Sequence, residues 1–473
     1  MRVVCIPPIL SSWSRLPIAL LAATIVGVSG CASLPLVATE TLPSASQPAT
    51  LSNARGPLSA QQSKAILANL SKRSEETGIF ERHLAVEEAV VGSPLVVSNR
   101  ATLLQDGEST YAAMFKAIAG AKDNINIETY IIEDDEVGKK FSDALIEKQK
   151  QGVQVVMIYD SVGSMSTPKE FFQRLKDSGI KTLEFNPVNP LKAKKGWSVN
   201  QRDHRKLLII DGQSAFVGGV NISSVYSSGS SAKRAKSTKV TDMTPWRDTH
   251  LQVEGPVVAE FQKLFIDTWT KQKGETLPDK KYFPMQVQKG KEVVRAVGSS
   301  PDDGVGGQMY NTLISVINSA ETSVYLTNAY FAPDKLIMGA LTDAAGRGVD
   351  VKIILPSESD SPLVYYAGHS FYADLLEAGV KIYERRESLL HAKTALIDGV
   401  WSTIGSTNLD WRSFMHNDEI NAVVLSPEFG AQMNAMFEKD LAASGQITPA
   451  AWRDRPLVDR VKERAARIWV YWL

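Results

Sequence analysis

Two histidines in this chain head closely matched stretches. His204 opens "HRKLLIIDGQSAFVGGVN" and His391 opens "HAKTALIDGVWSTIGSTN". Laid over one another without gaps, the stretches share His, Lys, Ile, Asp, Gly, Gly and Asn. His204, Lys206, Asp211 and Asn221 thereby match His391, Lys393, Asp398 and Asn408. An imidazole with an ordinary pKa of about 6.5 can attack as a free base or deliver a proton as a cation. A lysine two residues on adds a positive charge, and an asparagine adds an amide donor. A single His-x-Lys would mean little, because a histidine at a strand start is usually a satisfied polar group. The chain has six histidines, and two of them heading the same pattern is a poor coincidence. Burying a lysine face without use would also be costly.

The elements that carry these residues read as β-hairpins. Val, Ile and Leu dominate after each lysine, and Asp-Gly is a strong hairpin-turn pair. Side chains alternate along a strand, so His391 shares a face with Lys393, and His204 with Lys206. Asp398 and Asp211 stand at an odd offset from their histidines, which favours turn chemistry or structural hydrogen bonding for both. With Asp398–Gly399 as a two-residue loop, Ile397 pairs with Val400 and His391 lies opposite Ser406. The same pairing puts His204 opposite Gly219. This register brings Asn408 onto the face of His391 and Lys393, and Asn221 onto that of Lys206.

The repetition extends beyond the hairpins. "NINIETYII" (124–132) parallels "TSVYLTNAYF" (322–331), "KQGVQVVMIYD" (150–160) parallels "GRGVDVKIILP" (346–356), and "FQRLKDSGIKTLEF" (172–185) parallels "YADLLEAGVKIYER" (372–385). Each half runs strand, helix, β-branched strand, amphipathic helix, short strand, His-Lys hairpin and closing strand. Strands alternating with helices predict an α/β fold: two homologous halves, each a mixed β-sheet flanked by helices, packed with pseudo-two-fold symmetry around a shared site. The halves span 81–290 and 291–450. Lys+Arg and Asp+Glu both total 52. Without the first thirty residues there remain 50 bases against 52 acids. That balance argues against a partner gripped along a polyanionic backbone, such as nucleic acid.

The doubled H-x-K-x4-D pattern, with G-[GS]-x-N downstream, resembles the phospholipase D superfamily over about residues 90–445. "TPWRDTHLQVEGPVV" and "IGSTNLDWRSFMHNDEINAVVL" look like its bacterial cardiolipin synthases. The resemblance implies a site made of His204, Lys206, Asp211, Asn221, His391, Lys393, Asp398 and Asn408. Behind the histidines it implies two orienting acids, Glu419 and Asp248. It assigns His204 as the nucleophile that forms a phosphohistidine and His391 as the general acid/base. Lys206, Lys393, Asn221 and Asn408 then bind the substrate phosphate. Such chemistry needs no metal and no cofactor, and its partner is a phospholipid. A cationic face suits it, because neutralising the oxygens of a phosphodiester under attack is usually the largest catalytic contribution. Hydrolysis by water, a nuclease or other phosphodiesterase activity, and a non-catalytic membrane-bound scaffold are the alternatives.

The N-terminus adds a location. Residues 16–30, "LPIALLAATIVGVSG", are apolar, flanked by Arg2 and Arg15, and shorter than the ~20 residues of a membrane span. They read as a secretory signal over 1–30. "VSGC" resembles a bacterial lipobox, in which Cys31 is lipidated; ordinary cleavage or an uncleaved anchor are the alternatives. The resemblance implies a lipid-anchored protein of the cell envelope, on the periplasmic side of the outer membrane. The other cysteine, Cys5, lies inside the signal, which leaves no intrachain disulfide and no cysteine cluster for zinc. Residues 31–80 read as a flexible tether rich in Ser, Ala, Thr and Pro. The polar basic loop 227–239 and the basic, aromatic segment 451–473 are candidates for contact with lipid. His250 and His369 read as structural or pocket-lining.

Overall fold

The computed structural model describes residues 51–71, 77–90, 92–189, 198, 200–227, 244–301 and 307–470. The signal, Cys31, the first part of the tether, the 228–239 loop and Tyr471–Leu473 lie outside them.

Each half is built on seven strands in the same order, and Ser444–Ile447 adds an eighth beside Lys381–Arg385 at the edge of the second. In the first, Lys181–Phe185, Gln154–Asp160 and Asn124–Thr129 run parallel, and Lys206–Ile210, Ser214–Gly218, His250–Glu254 and Leu95–Leu104 continue antiparallel. In the second the order is Lys381–Arg385, Asp350–Pro356, Ser323–Asn328, then Lys393–Ile397, Trp401–Gly405, Asn417–Leu425 and Glu292–Ser299. The parallel strands are continuous apolar runs such as "VVMIYD" because helices cover them. Glu136–Lys150 and Lys169–Asp177 do so in the first half, Gln308–Ser319 and Lys335–Gly346 in the second. Asp135 caps the first of these helices through Gly138 N and Asp334 the last through Ile337 N. The sequence-predicted fold class is the fold observed.

The halves join edge to edge where Leu95–Leu104 pairs antiparallel with Glu292–Ser299. One apolar core runs across the junction, uniting Leu251, Val253, Phe261 and Phe265 with Val294, Ile420, Ala422, Phe429 and Met433. Burial of these side chains is worth about 1.5–3 kcal/mol each, so the halves are held together by a shared interior and not only by a shared site.

Two sequence expectations change. The hairpins pair Ile397 with Trp401 and Ile210 with Ser214, one residue away from the expected register. Their loops hold three residues: Asp398 and Asp211 at φ 51° and 53°, then Gly399 and Gly212 at φ 66° and 61°, then one more. The third is closed by a backbone bond, Val400 N to Ile397 O (3.2 Å) and Gln213 N to Ile210 O (2.9 Å). Consequently the strand positions that share a face with Lys393 and Lys206 are Gly405 and Gly218, and Ser406 and Gly219 turn the other way.

The tether is the second correction. From residue 51 the chain is built into the fold. Leu51–Asn53 pairs with Gly56–Pro57 and with Leu95–Leu104, and helices Ala60–Ser71 and Thr77–Val90 follow. The second helix belongs with the second half, not the first. Its His83 Nε2 lies 2.9 Å from Asp398 Oδ2, and its Glu87 bonds Arg295 Nη1 (2.9 Å) and Trp401 Nε1 (2.7 Å). Serine and alanine there serve a docked helix, which composition alone does not distinguish from a linker.

Candidate active site

The site starts from two short backbone crossings. Arg202–Asp203, just before His204, pairs in parallel with Asn417–Asp418 of the other half, and His204 N donates to Asp418 O at 2.9 Å. Across the pseudo-two-fold, Leu390 bridges to Arg247, and His391 N donates to Arg247 O at 2.8 Å. The next residue after each carbonyl is an acid. His204 Nδ1 therefore lies 3.0 and 3.1 Å from the two oxygens of Glu419, and His391 Nδ1 lies 2.7 Å from Asp248 Oδ2. Each histidine takes its acid from the opposite half. With Nδ1 engaged, Nε2 is the ring nitrogen left for chemistry on both.

All six ionisable groups are buried. His204 and His391 are 7% and 5% exposed, Lys206 and Lys393 2% each, Glu419 1% and Asp248 0%. At that depth charges act strongly on one another. Burial lowers His204 well below the ordinary histidine value, and the charges of Lys206, Lys393 and His391 lower it further. Burial and Lys393 also lower His391, against the pull of Asp248. Burial brings Lys206 down to about 7 and Lys393 to about 8. The acids diverge. Burial pushes Glu419 up to about 7 despite Lys206. For Asp248 burial is outweighed by the charge of His391, the hydrogen bond to it and the charge of Lys393, and the carboxyl is held below its usual range. The mutual influence of groups from both halves makes this one site. Its excess of cationic N–H groups, with carboxylates tied behind the imidazoles, suits an anionic reacting group.

The surrounding side chains fix these groups. Lys206 and Lys393 donate back to the carbonyls of His204 and His391, and Lys393 Nζ is 3.0 Å from His391 Nδ1. Asn221 Oδ1 accepts from Ile131 N (3.2 Å), and its Nδ2 donates to Tyr226 OH (3.0 Å), which in turn lies 3.3 Å from His391 Nδ1. Asn408 N donates to Ser413 Oγ (3.1 Å), and its buried Oδ1 has no hydrogen-bond partner among the described residues. Tyr130 meets the His204 ring edge-on at 5.0 Å and Tyr330 meets His391 at 6.0 Å, while Trp246 lies 5.7 Å from His391. Sequence reasoning passed over Tyr226, Ser413, Tyr130, Tyr330 and Trp246. Tyr226 and Ser413 each stand five residues after the matched asparagine, but as unlike residues they make no match when the alignment is carried past Asn221 and Asn408.

Asp211 and Asp398 sit apart from this cluster. Asp211 accepts from Lys122 N (2.9 Å), Asp123 N (2.8 Å) and Asn124 N (3.0 Å). Asp398 accepts from Glu321 N (3.0 Å), Thr322 N (2.8 Å), Ser323 N (2.9 Å) and Thr322 Oγ1 (2.9 Å), besides His83. Both bind the chain entering the neighbouring parallel strand, at the far end of the hairpin from its histidine. The family signature counts them in the site; here their contacts are structural, the role their odd offset suggested. The one-residue register change gives Ser406 and Gly219 their own tasks. Ser406 Oγ donates to Glu419. At the matching position a Cβ on Gly219 would come within 2.2 Å of Asp248 Oδ1, so only glycine leaves room for that acid. His250 is fully buried beside Gly218, and His369 Nε2 lies 2.9 Å from Glu384 in a packed aromatic cluster. Among the described residues no three His, Cys, Asp or Glu side chains are grouped to hold a metal ion.

Two histidines with crossed carboxylates and two buried lysines, in a duplicated α/β fold, make one site from two halves of one chain, with the charge and donors that suit a phosphate ester. The comparisons with known proteins agree. The family model described as "Cardiolipin synthase, PLD-like domain" matches residues 114–229 and 313–441. The cardiolipin synthase of Alkalihalophilus pseudofirmus is 35% identical over 381 residues, covering 80% of this chain and 73% of its own. Cardiolipin synthase A of Pseudomonas aeruginosa is 34% identical over 378 residues, with the same coverage of each. The crystal structure of phosphatidylserine synthase from Haemophilus influenzae superposes with a TM-score of 0.58 at 14% identity, covering 83% of this chain and 100% of that one. The chain belongs to the cardiolipin synthase family of phospholipase D-like enzymes.

Proposed function

We propose that the protein moves a phosphatidyl group from one phospholipid to the glycerol hydroxyl of another through a phosphohistidine, with cardiolipin as the product. The crossed His–acid pairs carry this reading. His204, held neutral by burial and the neighbouring cations, has a free lone pair on Nε2 to attack phosphorus. The N–P bond forms as the P–O bond to the departing alcohol breaks, and His391 supplies the proton that the alkoxide needs. Asp248, kept ionised, stabilises imidazolium at His391. The anionic phosphodiester favours that cation too, offsetting the repulsion from Lys393. In the second half-reaction His391 takes the proton from the acceptor hydroxyl, the new P–O bond forms and the N–P bond breaks. Lys206 and Lys393 hold the equatorial oxygens throughout, with Asn221 and Asn408 beside them.

Burial of both histidines favours a lipid acceptor over water in resolving the intermediate. Incubation with phosphatidylglycerol is expected to give cardiolipin and glycerol. Phosphatidic acid as the main product would establish hydrolysis instead, and nicked nucleic acid with untouched lipid would sink both lipid readings. Labelled phosphate trapped on the enzyme should persist in His391→Ala and vanish in His204→Ala; the opposite pattern reverses the roles.

The finer location rests on the sequence "VSGC": tethering through lipidated Cys31, on the periplasmic side of the outer membrane. Metabolic labelling with palmitate should mark the wild type and not Cys31→Ser, and labelling of both would remove Cys31 as the anchor.

A further inference from the structure

The C-terminal helix Leu457–Arg467 and the turn that continues it lie on the second half with one face exposed among the described residues. On the inner face Ala466, Glu463 and Val470 are buried, and Glu463 is tied to Arg455 Nη2 at 2.7 Å. Outward, at the spacing of a helical stripe, stand Leu457 (74% exposed), Val461 (67%) and Ile468 (78%), with Val458 (63%) and Trp469 (51%) alongside. Large apolar residues scattered singly on a surface need no explanation, but five on one short element do. Bases flank the stripe. Residues 453–467 hold six Arg or Lys against three acids, and the Arg455–Glu463 pair leaves five against two. Lys462, Arg464 and Arg467 are exposed. Among the described residues no helix is long and apolar enough to cross a membrane.

The helix is also linked to the active site through one intervening segment. Lys462 Nζ donates to Tyr366 OH at 3.0 Å, and Arg467 Nη1 donates to Ser370 O at 3.2 Å, which seats the helix on Pro362–His369. That segment backs the site wall. Gly368 packs against the carbonyl of Phe331, whose neighbour Tyr330 bonds Asp360 at 2.7 Å and faces the His391 ring.

We infer that Leu457, Val461, Ile468 and Trp469 form an interfacial docking face that lies flat on an anionic phospholipid bilayer. The apolar stripe enters the headgroup boundary while the exposed Arg453 and Arg464 meet lipid phosphates. Docking there sets the second-half wall of the site, through Tyr330, toward the surface from which lipid enters. A second copy of the chain is the less fitting occupant, because the bases bordering the stripe would meet their own equivalents across a two-fold contact. The purpose of the face rests on the phospholipid reading of the site, but its test does not require turnover, so either can fail alone.

The test is hydrogen–deuterium exchange on the full chain, with and without vesicles of phosphatidylethanolamine and phosphatidylglycerol. Protection of residues 457–470 on vesicle addition is expected. The variant V461E/I468E should lose it, with vesicle partitioning reduced about tenfold or more, an unchanged melting temperature, and undiminished turnover of short-chain phosphatidylglycerol below its micellar concentration. The exchange is local, so an anchor at the N-terminus does not obscure it. Unchanged exchange at 457–470 on vesicles would overturn the proposal. So would protection that grows with protein concentration in the absence of lipid, which would assign the face to self-association.

Discussion

Asp248 and Glu419 occupy matched places, yet their surroundings shift them in opposite directions. Asp248 is kept ionised by His391 and Lys393, whereas burial raises Glu419 to about 7. Replacing Asp248 with Asn should therefore lower kcat about a thousandfold, the scale of a lost proton-transfer partner, with KM little changed; a loss under tenfold would remove Asp248 from the mechanism. The lysines give a second test. Burial lowers both below the ordinary value, so their deprotonation begins at pH 7 to 8 and not above 10. Anion binding needs the protonated form and must weaken as pH rises through that window. Calorimetry with tungstate as a phosphate mimic should show Kd rising by up to about tenfold per pH unit for each proton lost, and a flat profile from pH 7 to 9 would mean the lysines stay charged. Histidine, lysine and asparagine were legible because their spacing is duplicated in one sequence. Tyr226 and Ser413 were not, since one half uses a phenol where the other uses a small hydroxyl, and unlike residues leave no repeat to notice.

At the scale of the element, the hairpin turns explain why Asp211 and Asp398 stand in every copy of the pattern without touching the reaction. Each carboxylate gathers three backbone N–H groups of the neighbouring strand entry, and Asp398 also meets the Thr322 hydroxyl and buried His83. Orphaning such donors is expensive. Asp398→Ala should cost about 2–4 kcal/mol in urea unfolding and Asp211→Ala less, with kcat per folded molecule retained in both. Loss of turnover in a fully folded variant would return these residues to the site. Gly219→Ser makes the first half imitate the second, where serine supports a longer acid. Here the added side chain meets Asp248 within 2.2 Å of its Cβ position, so kcat should fall at least about a hundredfold while tungstate still binds. Strand order and alternation were readable from apolar patterning. The register was not, because Asp-Gly fits both a two-residue and a three-residue loop, and the choice is made by backbone N–H groups 75 to 89 residues upstream that donate to the aspartate. The docked helix Thr77–Val90 was hidden for a similar reason: its anchors, His83 and Glu87, find partners more than two hundred residues away.

Over the whole molecule, duplication has become interdependence. The parallel crossings at Arg202–Asp203 and at Leu390 hand each histidine to the other half's closing strand. Alignment of the halves could reveal two acids for two histidines, but not which acid serves which, because a pseudo-two-fold repeat is equally consistent with paired and exchanged partners. The exchange has a kinetic consequence. Glu419, in the second half, contacts His204 of the first, the nucleophile of the proposed mechanism, and Asp248, in the first, contacts His391 of the second, its proposed proton carrier. A phosphatidyl ester with p-nitrophenol as the leaving group needs no proton to depart, so the two steps separate. Asp248→Asn and His391→Ala should then release a rapid stoichiometric burst of p-nitrophenol and stall, because the phosphohistidine forms without an acid and the acceptor hydroxyl cannot be deprotonated. Glu419→Gln should slow the burst itself. Rapid-quench measurement of the first turnover distinguishes the cases. If Asp248→Asn slowed the burst and Glu419→Gln left it intact, the acids would follow the sequence halves instead of the crossed contacts, or His391 would be the nucleophile. The trapped phosphate on His204 or His391 decides between those two outcomes.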